Sequence, residues 1–469
     1  MQRILFFGMA IAIAGCGEAP PQPSDMAAVQ DLQMPDLQKP DLKMPDLKMP
    51  DLQMPDLQMP DLQMPDLQMP DLQMPDLKMP DLQMPDLQMP DLLPIPPYFS
   101  SPSTLQPGGV GPKGIVAGKF DGDNNWDVAV AWGDTVTGGV TVFRGAGDGQ
   151  FFAGKTFGTG GFNCFAVQTA NFNNLSNNDT NADLVVVNRS SSNVGILFGD
   201  GTGSFGAATN VTTSATPNDV IVGDFTNDSP TPKQDVLVVT LGGKTIDLLV
   251  GDGLGGFAAA KSFSLPNLGK GVVAGDFNSD GWLDVAATCQ DKNVYIFINN
   301  KSANGDFVAG VAYGNASLTA PKALATADID KDGILDLIVP NSGSDVNGNP
   351  INTVSIFKGN GSAMKGNGTF ADPFTLGTVS NNPNTVRVGD FNKDGKLDFV
   401  TANGGGYNMS LFLGTGGGSF AVPPSTFSLG KDPEGLTVAD FNNDGKLDVA
   451  SANNGNLNDV SILLNQFLP

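Results

Sequence analysis

Short runs in which apolar and polar residues alternate recur along residues 98–469, and turn-forming residues separate them. One unit begins with the run Gly435–Ala439, continues after an acidic loop with Leu447–Ala452, and adds a third run, Val460–Leu464. Alternation with a period of two predicts β-strands that bury one face. In six units a glycine-rich turn ending in phenylalanine and a short fourth run follow. The pattern therefore predicts an all-β protein built from four-stranded units.

The acidic loop recurs seven times at near-constant spacing. The loops begin at residues 119, 171, 224, 276, 328, 390 and 440, at intervals of 52, 53, 52, 52, 62 and 50 residues. Four strands in about 50 residues, repeated in this way, predict the blades of a β-propeller. The seventh unit stops after its third strand, so we expect Tyr98–Leu105 to supply its fourth strand. That pairing closes a seven-bladed ring and leaves no free sheet edge.

The four most regular loops place side-chain oxygens at loop positions 1, 3, 5 and 9. These candidate calcium ligands are Asp276, Asn278, Asp280 and Asp284; Asp328, Asp330, Asp332 and Asp336; Asp390, Asn392, Asp394 and Asp398; and Asp440, Asn442, Asp444 and Asp448. Position 7 offers the backbone carbonyls of Trp282, Ile334, Lys396 and Lys446. Calcium takes six to eight oxygens, and glycine at position 6 lets the chain wrap an ion. The alternative is metal-free turn formation, which Asp, Asn and Gly also favour.

The first three loops depart from this pattern and predict weaker calcium sites. Their candidate ligands are Asp121, Asp123 and Asp127; Asn171, Asn173, Asp179 and Asp183; and Asp224, Thr226, Asp228 and Asp235. Lys119 stands at position 1 of the first loop, where its ammonium could replace the ion. We expect occupancy to be graded and strongest in the fifth loop, whose four side-chain ligands are all aspartates.

The charge of the chain supports a metal rather than a basic partner. Residues 93–469 carry 20 basic and 34 acidic residues, a net charge of −14, and 21 of the acids lie in the seven loops. Seven divalent ions would offset this charge. The sequence shows no basic footprint, which argues against nucleic acid as a partner. Histidine is absent, which excludes serine–histidine and cysteine–histidine catalysis and histidine-ligated zinc.

Three cysteines have separate interpretations. Cys164 and Cys289 lie in different units without a CxxC spacing, so both a disulfide and two buried thiols remain open. Cys16 follows a short apolar segment after Arg3, and residues 1–15 predict an export signal. The segment Ile13–Cys16 resembles a bacterial lipobox, which implies cleavage before Cys16 and lipidation of that residue. An ordinary signal peptide is the alternative. Glycine after the cysteine implies the outer membrane in the class that this segment resembles.

A low-complexity segment separates the N-terminus from the strands. Residues 16–30 are expected to be a flexible start, and from residue 31 to 91 an Asp-Leu pair recurs 13 times at five-residue intervals, mostly as PDLQM. Regular proline excludes helix and favours extended conformations, so residues 31–97 are interpreted as a tether. A pentapeptide-repeat β-helix is the alternative, although proline occupies a position that needs a small inward residue.

The loop D-F-N-x-D-G-x-x-D and the turn G-x-G-x-F resemble FG-GAP/VCBS repeats, as in the seven-bladed propeller of integrin α subunits. The resemblance covers residues 98–469 and implies that ligands use the face opposite the acidic loops. That face would include Trp132, Asn188, Asn341–Asn352, Tyr407 and Asn453–Asn458. The insertion at residues 342–352 is either a recognition loop or a tolerated surface insertion. Trp132 either stacks on a sugar or packs inside the fold.

These observations favour a monomeric, lipid-anchored, calcium-stabilised propeller that binds an unknown protein or glycan as a ligand-binding or adhesion module. It would contact the membrane only through its anchor and would face the cell surface or the periplasm. A lectin-like propeller is a narrower alternative. An enzyme acting on polysaccharide is the alternative from another class, and its acidic pair to test is Asp432 with Glu434. A non-enzymatic role is favoured.

Overall fold

The protein is a seven-bladed β-propeller, as the sequence predicts. A computed structural model describes residues 98–176, 179–314, 318–344, 350–377 and 380–467. Seven antiparallel four-stranded sheets lie in a ring within these ranges, together with two short hairpins and two 3-10 turns. No helix in the described part of the chain is both long and apolar enough to cross a membrane. The predicted signal, Cys16 and the tether lie outside these ranges.

Each blade contributes strands in the same order. The first strands are Pro112–Gly118, Cys164–Ala170, Pro217–Gly223, Gly269–Gly275, Ala325–Ala327, Pro383–Gly389 and Pro433–Ala439. The second strands are Asp127–Gly133, Asp183–Asn188, Asp235–Thr240, Asp284–Cys289, Asp336–Ser344, Asp398–Asn403 and Asp448–Asn453. The third strands are Gly138–Phe143, Asn193–Leu197, Thr245–Leu249, Val294–Phe297, Pro350–Phe357, Asn408–Phe412 and Asp459–Leu463. The fourth strands are Lys155–Phe157, Thr209–Thr212, Lys261–Ser264, Val311–Tyr313, Phe374–Leu376, Ser425–Ser428 and Ser103–Leu105.

Smaller elements lie in the turns between these strands. Two hairpins occupy third-to-fourth strand turns, Gly359–Ser362 with Lys365–Phe370 in blade 5 and Gly414–Gly416 with Ser419–Phe420 in blade 6. The 3-10 turns Arg189–Ser191 and Gly404–Gly406 follow the second strands of blades 2 and 6. The insertion in blade 5 lengthens the second and third strands, which pair as far as Ser344 with Pro350. The tip of that predicted recognition loop, residues 345–349, lies outside the described residues.

The N-terminal segment closes the ring in the predicted way. Ser103–Leu105 pairs antiparallel with the third strand of blade 7, and Ser100 N donates to Leu464 O at 2.8 Å. Phe99 also bridges Asn465, as the turn phenylalanine of other blades bridges the end of its own third strand. Blade 7 is therefore complete although its residues come from distant parts of the chain.

Phenylalanine pairs lock neighbouring blades together. The buried phenylalanine at loop position 2 of one blade packs edge to face against the turn phenylalanine of the next blade, with ring centroids 5.4 to 6.1 Å apart. The pairs are Phe120–Phe205, Phe172–Phe257, Phe225–Phe307, Phe277–Phe370, Phe391–Phe99 and Phe441–Phe151. Ile329 replaces the loop phenylalanine in blade 5 and lies in the same core as Phe420. Apolar burial thus joins every blade to its neighbour.

The two cysteines of the propeller are free and buried, which excludes a disulfide between them. Burial raises the pKa of the Cys289 thiol to about 12 and also raises the pKa of Cys164. Cys289 therefore acts as a small apolar core residue. The buried Cys164 thiol also donates a hydrogen bond to Asn188 Oδ1 at 3.2 Å.

Candidate functional site

The aspartate at loop position 9 begins the second strand of every blade and is buried. In blade 6, the Asp398 carboxylate accepts hydrogen bonds from Phe391 N at 2.8 Å and from Gly414 N at 2.7 Å. The first donor lies in the acidic loop and the second in the turn after the third strand. Equivalent pairs of bonds, 2.7 to 3.1 Å long, are made by Asp127, Asp183, Asp235, Asp284, Asp336, Asp398 and Asp448. We call these seven residues the position-9 clamps.

Burial of the clamps is electrostatically unfavourable. Desolvation raises the pKa of six clamp carboxyls to about 6, and that of Asp448 to about 7, although both backbone bonds work in the opposite direction. Neighbouring loop carboxylates raise the pKa further in several blades; Asp444 and Asp440 do so for Asp448. A buried charge that is disfavoured in this way is stabilised by a nearby cation.

The regular loops adopt the conformation that their sequence predicts. In the fifth loop, Asp332 N and Gly333 N donate to the Asp328 carboxylate at 3.0 and 2.9 Å, and Ile334 N donates to Asp332 Oδ1 at 2.8 Å. The position-6 glycines all have positive φ, between 79° and 87°. Loop position 4 also has positive φ in these four loops. The sequence did not indicate this, because the position holds no glycine; its residues are Ser279, Lys331, Lys393 and Asn443.

Two loops bring three carboxylates together, and both fit a hard cation. The groups are Asp121 with Asp123 and Asp127, and Asp328 with Asp330 and Asp332; each residue offers an oxygen within 4.8 Å of the others. Oxygen-only ligands suit calcium. The fifth loop is the one for which the sequence predicts the strongest site. In the first loop, the clamp Asp127 is itself one of the three candidate cation ligands.

Basic side chains already contact six of the seven loops. The pairs are Arg144–Asp121 at 3.5 Å, Lys233–Asp228 at 3.1 Å, Lys301–Asp280 at 3.4 Å, Lys358–Asp330 at 2.8 Å, Lys396–Asp394 at 3.2 Å and Lys446–Asp444 at 3.2 Å. These partly exposed pairs contribute little to stability. In the first loop the contact comes from Arg144. The Lys119 ammonium instead lies 5.4 Å from the centre of the Trp126 ring, outside the role that the sequence suggested for it.

A cavity of about 420 Å³ lies on the propeller axis, and residues from all seven blades line it. Its wall is formed where the first strands begin, at the end of each blade opposite the acidic loops. One equivalent position in each blade contributes a ring of side chains: Lys113, Phe165, Asn218, Lys270, Lys322, Asn384 and Glu434. We call this cavity the axial pocket.

The axial pocket is basic, although the propeller as a whole is acidic. Its wall carries five cations, Lys113, Arg189, Lys270, Lys322 and Arg387, and two carboxylates, Asp219 and Glu434. The pocket therefore has a net charge of +3. Glu434 faces this pocket, where desolvation first and Asp432 second raise its pKa, while Lys322, Lys113 and Arg189 lower it. It is thus a member of a mixed charge cluster rather than of an isolated acidic pair.

Three of the asparagines predicted for the ligand face, and a fourth that was not predicted, are buried structural residues. The predicted residues Asn188 and Asn453 and the unpredicted Asn403 end second strands, and the predicted Asn341 has the equivalent position in the longer second strand of blade 5. Their side-chain amides donate to side chains of the third strand of the same blade. Trp132 occupies the same position in blade 1, and its Nε1 donates to Thr141 Oγ1 at 2.8 Å.

The remaining residues of that face differ in exposure. Gly109 covers the Trp132 ring so closely that a Cβ at residue 109 would overlap it, which supports packing rather than sugar stacking for this tryptophan. Tyr407 is 45% exposed and remains available for a ligand. On the outside of the ring, a shallow groove of about 580 Å³ between blades 2 and 3 is lined only by neutral residues.

Comparison of the sequence with known protein families identifies the same repeats that form the blades. The FG-GAP-like repeat family matches residues 276–339, 344–401 and 390–451, and the chain carries these repeats within its seven-bladed β-propeller. The family described as apolipoprotein B100, insert 4, matches residues 23–97, which lie outside the described structure. No curated protein matches the chain. The repeats and the fold together support a protein-interaction module.

Several solved structures share the fold at low sequence identity. The crystal structure of BBS1N in complex with ARL6DN is 10% identical, with a TM-score of 0.52, over 78% of this chain and 97% of the other. Streptogramin B lyase is 14% identical, with a TM-score of 0.50, over 78% and 98%. A protein from Lactobacillus plantarum is 12% identical, with a TM-score of 0.51, over 69% and 86%. At these identities the likeness shows the propeller fold alone.

Proposed function

We propose that this chain is a ligand-binding or adhesion module in which a calcium-stabilised propeller is presented on a lipid-anchored tether. This proposal is supported by the different composition of the two faces of the ring. One face holds all seven acidic loops, whose clamps are used to connect strands. The opposite face holds the axial pocket and exposed side chains such as Tyr407. The first face serves as a scaffold, and the second is free to bind a protein or a glycan.

Calcium would stabilise the scaffold face. The carboxylates of Asp328, Asp330 and Asp332 would hold an ion most strongly, and its charge would offset their mutual repulsion and the unfavourable burial of the clamp. An ion bound only by the folded chain adds stability by mass action. The basic side chains that contact the loops would then move away from the carboxylates.

The anchor would be Cys16, and residues 31–97 would hold the ring away from the membrane. If it were wholly polyproline II, at about 3.1 Å per residue, this segment would reach at most on the order of 200 Å. Such a tether, joined to an outer-membrane lipid anchor, suits a module that meets its ligand at a distance. We propose no catalytic role.

A binding screen tests this proposal. The chain from Cys16 onward would be applied to glycan and surface-protein arrays with calcium and with a chelator. We expect at least one specific ligand, bound more tightly with calcium. Tyr407→Ala should weaken that binding, whereas Phe152→Ala, a similarly exposed aromatic residue on the scaffold face, should not. An absence of ligands, or a loss of binding only in Phe152→Ala, would contradict the proposal.

A further inference from the structure

The five cations of the axial pocket outnumber its two carboxylates, Asp219 and Glu434. Among the described residues, none of Lys113, Arg189, Lys270, Lys322 and Arg387 forms an ion pair within 4.0 Å, whereas six acidic loops each have one. None of the five side chains is fully exposed. Basic residues that are half-buried, close together and unpaired are costly to keep unless a ligand or solvent compensates their charge.

Several donors in the pocket are also unused. The side-chain ammoniums of Lys270 and Lys322 have no hydrogen-bond partner among the described residues, and Arg189 Nε is buried without one. The Arg189 guanidinium lies 3.8 Å from the centre of the Phe165 ring and donates to Asn218. These contacts hold the guanidinium in place while leaving part of its donor capacity free.

The pKa values of the basic side chains in the pocket also favour a bound anion. Burial lowers the pKa of Lys113 and of Lys270, and for Lys270 the neighbouring Lys322 lowers it further. Desolvation also lowers the pKa values of Arg189 and Arg387. Glu434 raises the pKa values of Lys113 and Arg189, and Asp219 raises that of Arg387, but desolvation is the larger effect in each case. A bound anion would act in the same direction as these carboxylates, because an opposite charge favours the protonated form.

We propose that the axial pocket binds the carboxylate of a compact hydroxylated molecule, either a free hydroxycarboxylate or the acidic sugar of a glycan. The cations would hold the carboxylate, while Asp219, Glu434 and the amides of Asn218 and Asn384 offer partners for hydroxyl groups. The volume of about 420 Å³ suits one such unit with ordered water. This inference rests on the proposed binding role of this face, but not on the lipid anchor or on calcium.

Isothermal titration calorimetry of the full mature chain at low salt tests the site. The probes are galacturonate, citrate, inorganic phosphate and uncharged galactose. We expect galacturonate or citrate to bind at least tenfold more tightly than galactose, with an affinity that falls as salt rises. Tighter binding of galacturonate indicates an acidic sugar, and tighter binding of citrate indicates a free hydroxycarboxylate. No carboxylate binding, equal binding of galactose, or tighter binding of phosphate would overturn the proposal.

Variants connect the binding to the pocket. Lys270→Met combined with Lys322→Met should weaken carboxylate binding at least tenfold, whereas Lys365→Met, at an exposed lysine on the scaffold face, should not change it. Glu434→Gln removes an opposing charge and should tighten binding, which keeps the test valid if the double variant fails to fold. Unchanged binding in both pocket variants would show an adventitious anion only. A chain that binds a protein or neutral glycan in the screen but no carboxylate overturns this site and leaves the proposed function standing.

Discussion

Removing one clamp carboxylate should destabilise the ring even without calcium. Asp398 is fully buried, and its two oxygens accept from Phe391 N and Gly414 N. Asp398→Ala leaves both backbone donors buried without partners. Each unsatisfied group costs about 1–3 kcal/mol, so the loss of unfolding free energy is about 2–6 kcal/mol. Asp398→Asn keeps one acceptor and should give an intermediate loss.

The melting temperature in chelator is the suitable readout. At about 2.1 cal/mol/K per residue over roughly 370 residues, a loss of about 2–6 kcal/mol lowers the melting temperature by about 3–8 °C. Asp394→Ala is the matched control, because this residue lies in the same loop but is partly exposed and is not a clamp. With chelator present it should change the melting temperature little.

The comparison separates the clamp from a calcium ligand. If Asp398 acts only through an ion, both alanine variants should behave alike without calcium and both should lose the calcium-dependent gain. A melting temperature of Asp398→Ala in chelator that equals that of Asp394→Ala would refute the clamp.

Three further results are expected. First, the melting temperature in chelator should be higher at pH 5 than at pH 7.5. The folded clamp carboxyls have pKa values of about 6, above the usual 3.8, so they stabilise the fold at low pH and this contribution is lost as the pH rises through 6. A higher melting temperature at pH 7.5 would contradict the buried clamps. Second, Phe99→Ala should lower the unfolding free energy by about 3–5 kcal/mol in denaturant titration, because this buried ring completes blade 7. Phe152 is 52% exposed, so Phe152→Ala should change the unfolding free energy far less. Equal losses in the two variants would contradict the closure of the ring by residue 99. Cys16→Ser should move the protein from the membrane fraction to the soluble fraction, and unchanged fractionation would refute the lipid anchor.

Sequence reasoning predicted the ring because the relevant signals are local and repeated. Strand alternation, loop spacing and glycine at loop position 6 each depend on neighbouring residues, and the structure confirms the strands and the positive φ of those glycines. Closure by Tyr98–Leu105 was also predictable, because blade 7 had a third strand without a fourth. The part played by Phe99 in the missing turn was not identified, although its residue type matches the turn phenylalanines.

The axial pocket was not predicted because its charges are distant in sequence. Successive members of the set Lys113, Arg189, Lys270, Lys322 and Arg387 are 52 to 81 residues apart, and no window of the acidic chain contains a basic cluster. Only the ring brings them to one wall. The role of the clamps was missed for a similar reason: one partner of Asp398 lies 16 residues later, and the register of the sheet decides that it reaches the carboxylate.

The calcium content of the chain tests most directly whether the acidic loops form a metal-stabilised scaffold. Calorimetric titration of the calcium-depleted full chain should show several bound ions and a melting temperature that rises with calcium. Asp328→Ala combined with Asp332→Ala, which leaves the clamp at Asp336 intact, should remove one of the tighter ions. No bound calcium and the same melting temperature with calcium and with chelator would contradict the scaffold and leave the loops as metal-free turns neutralised by lysine and arginine.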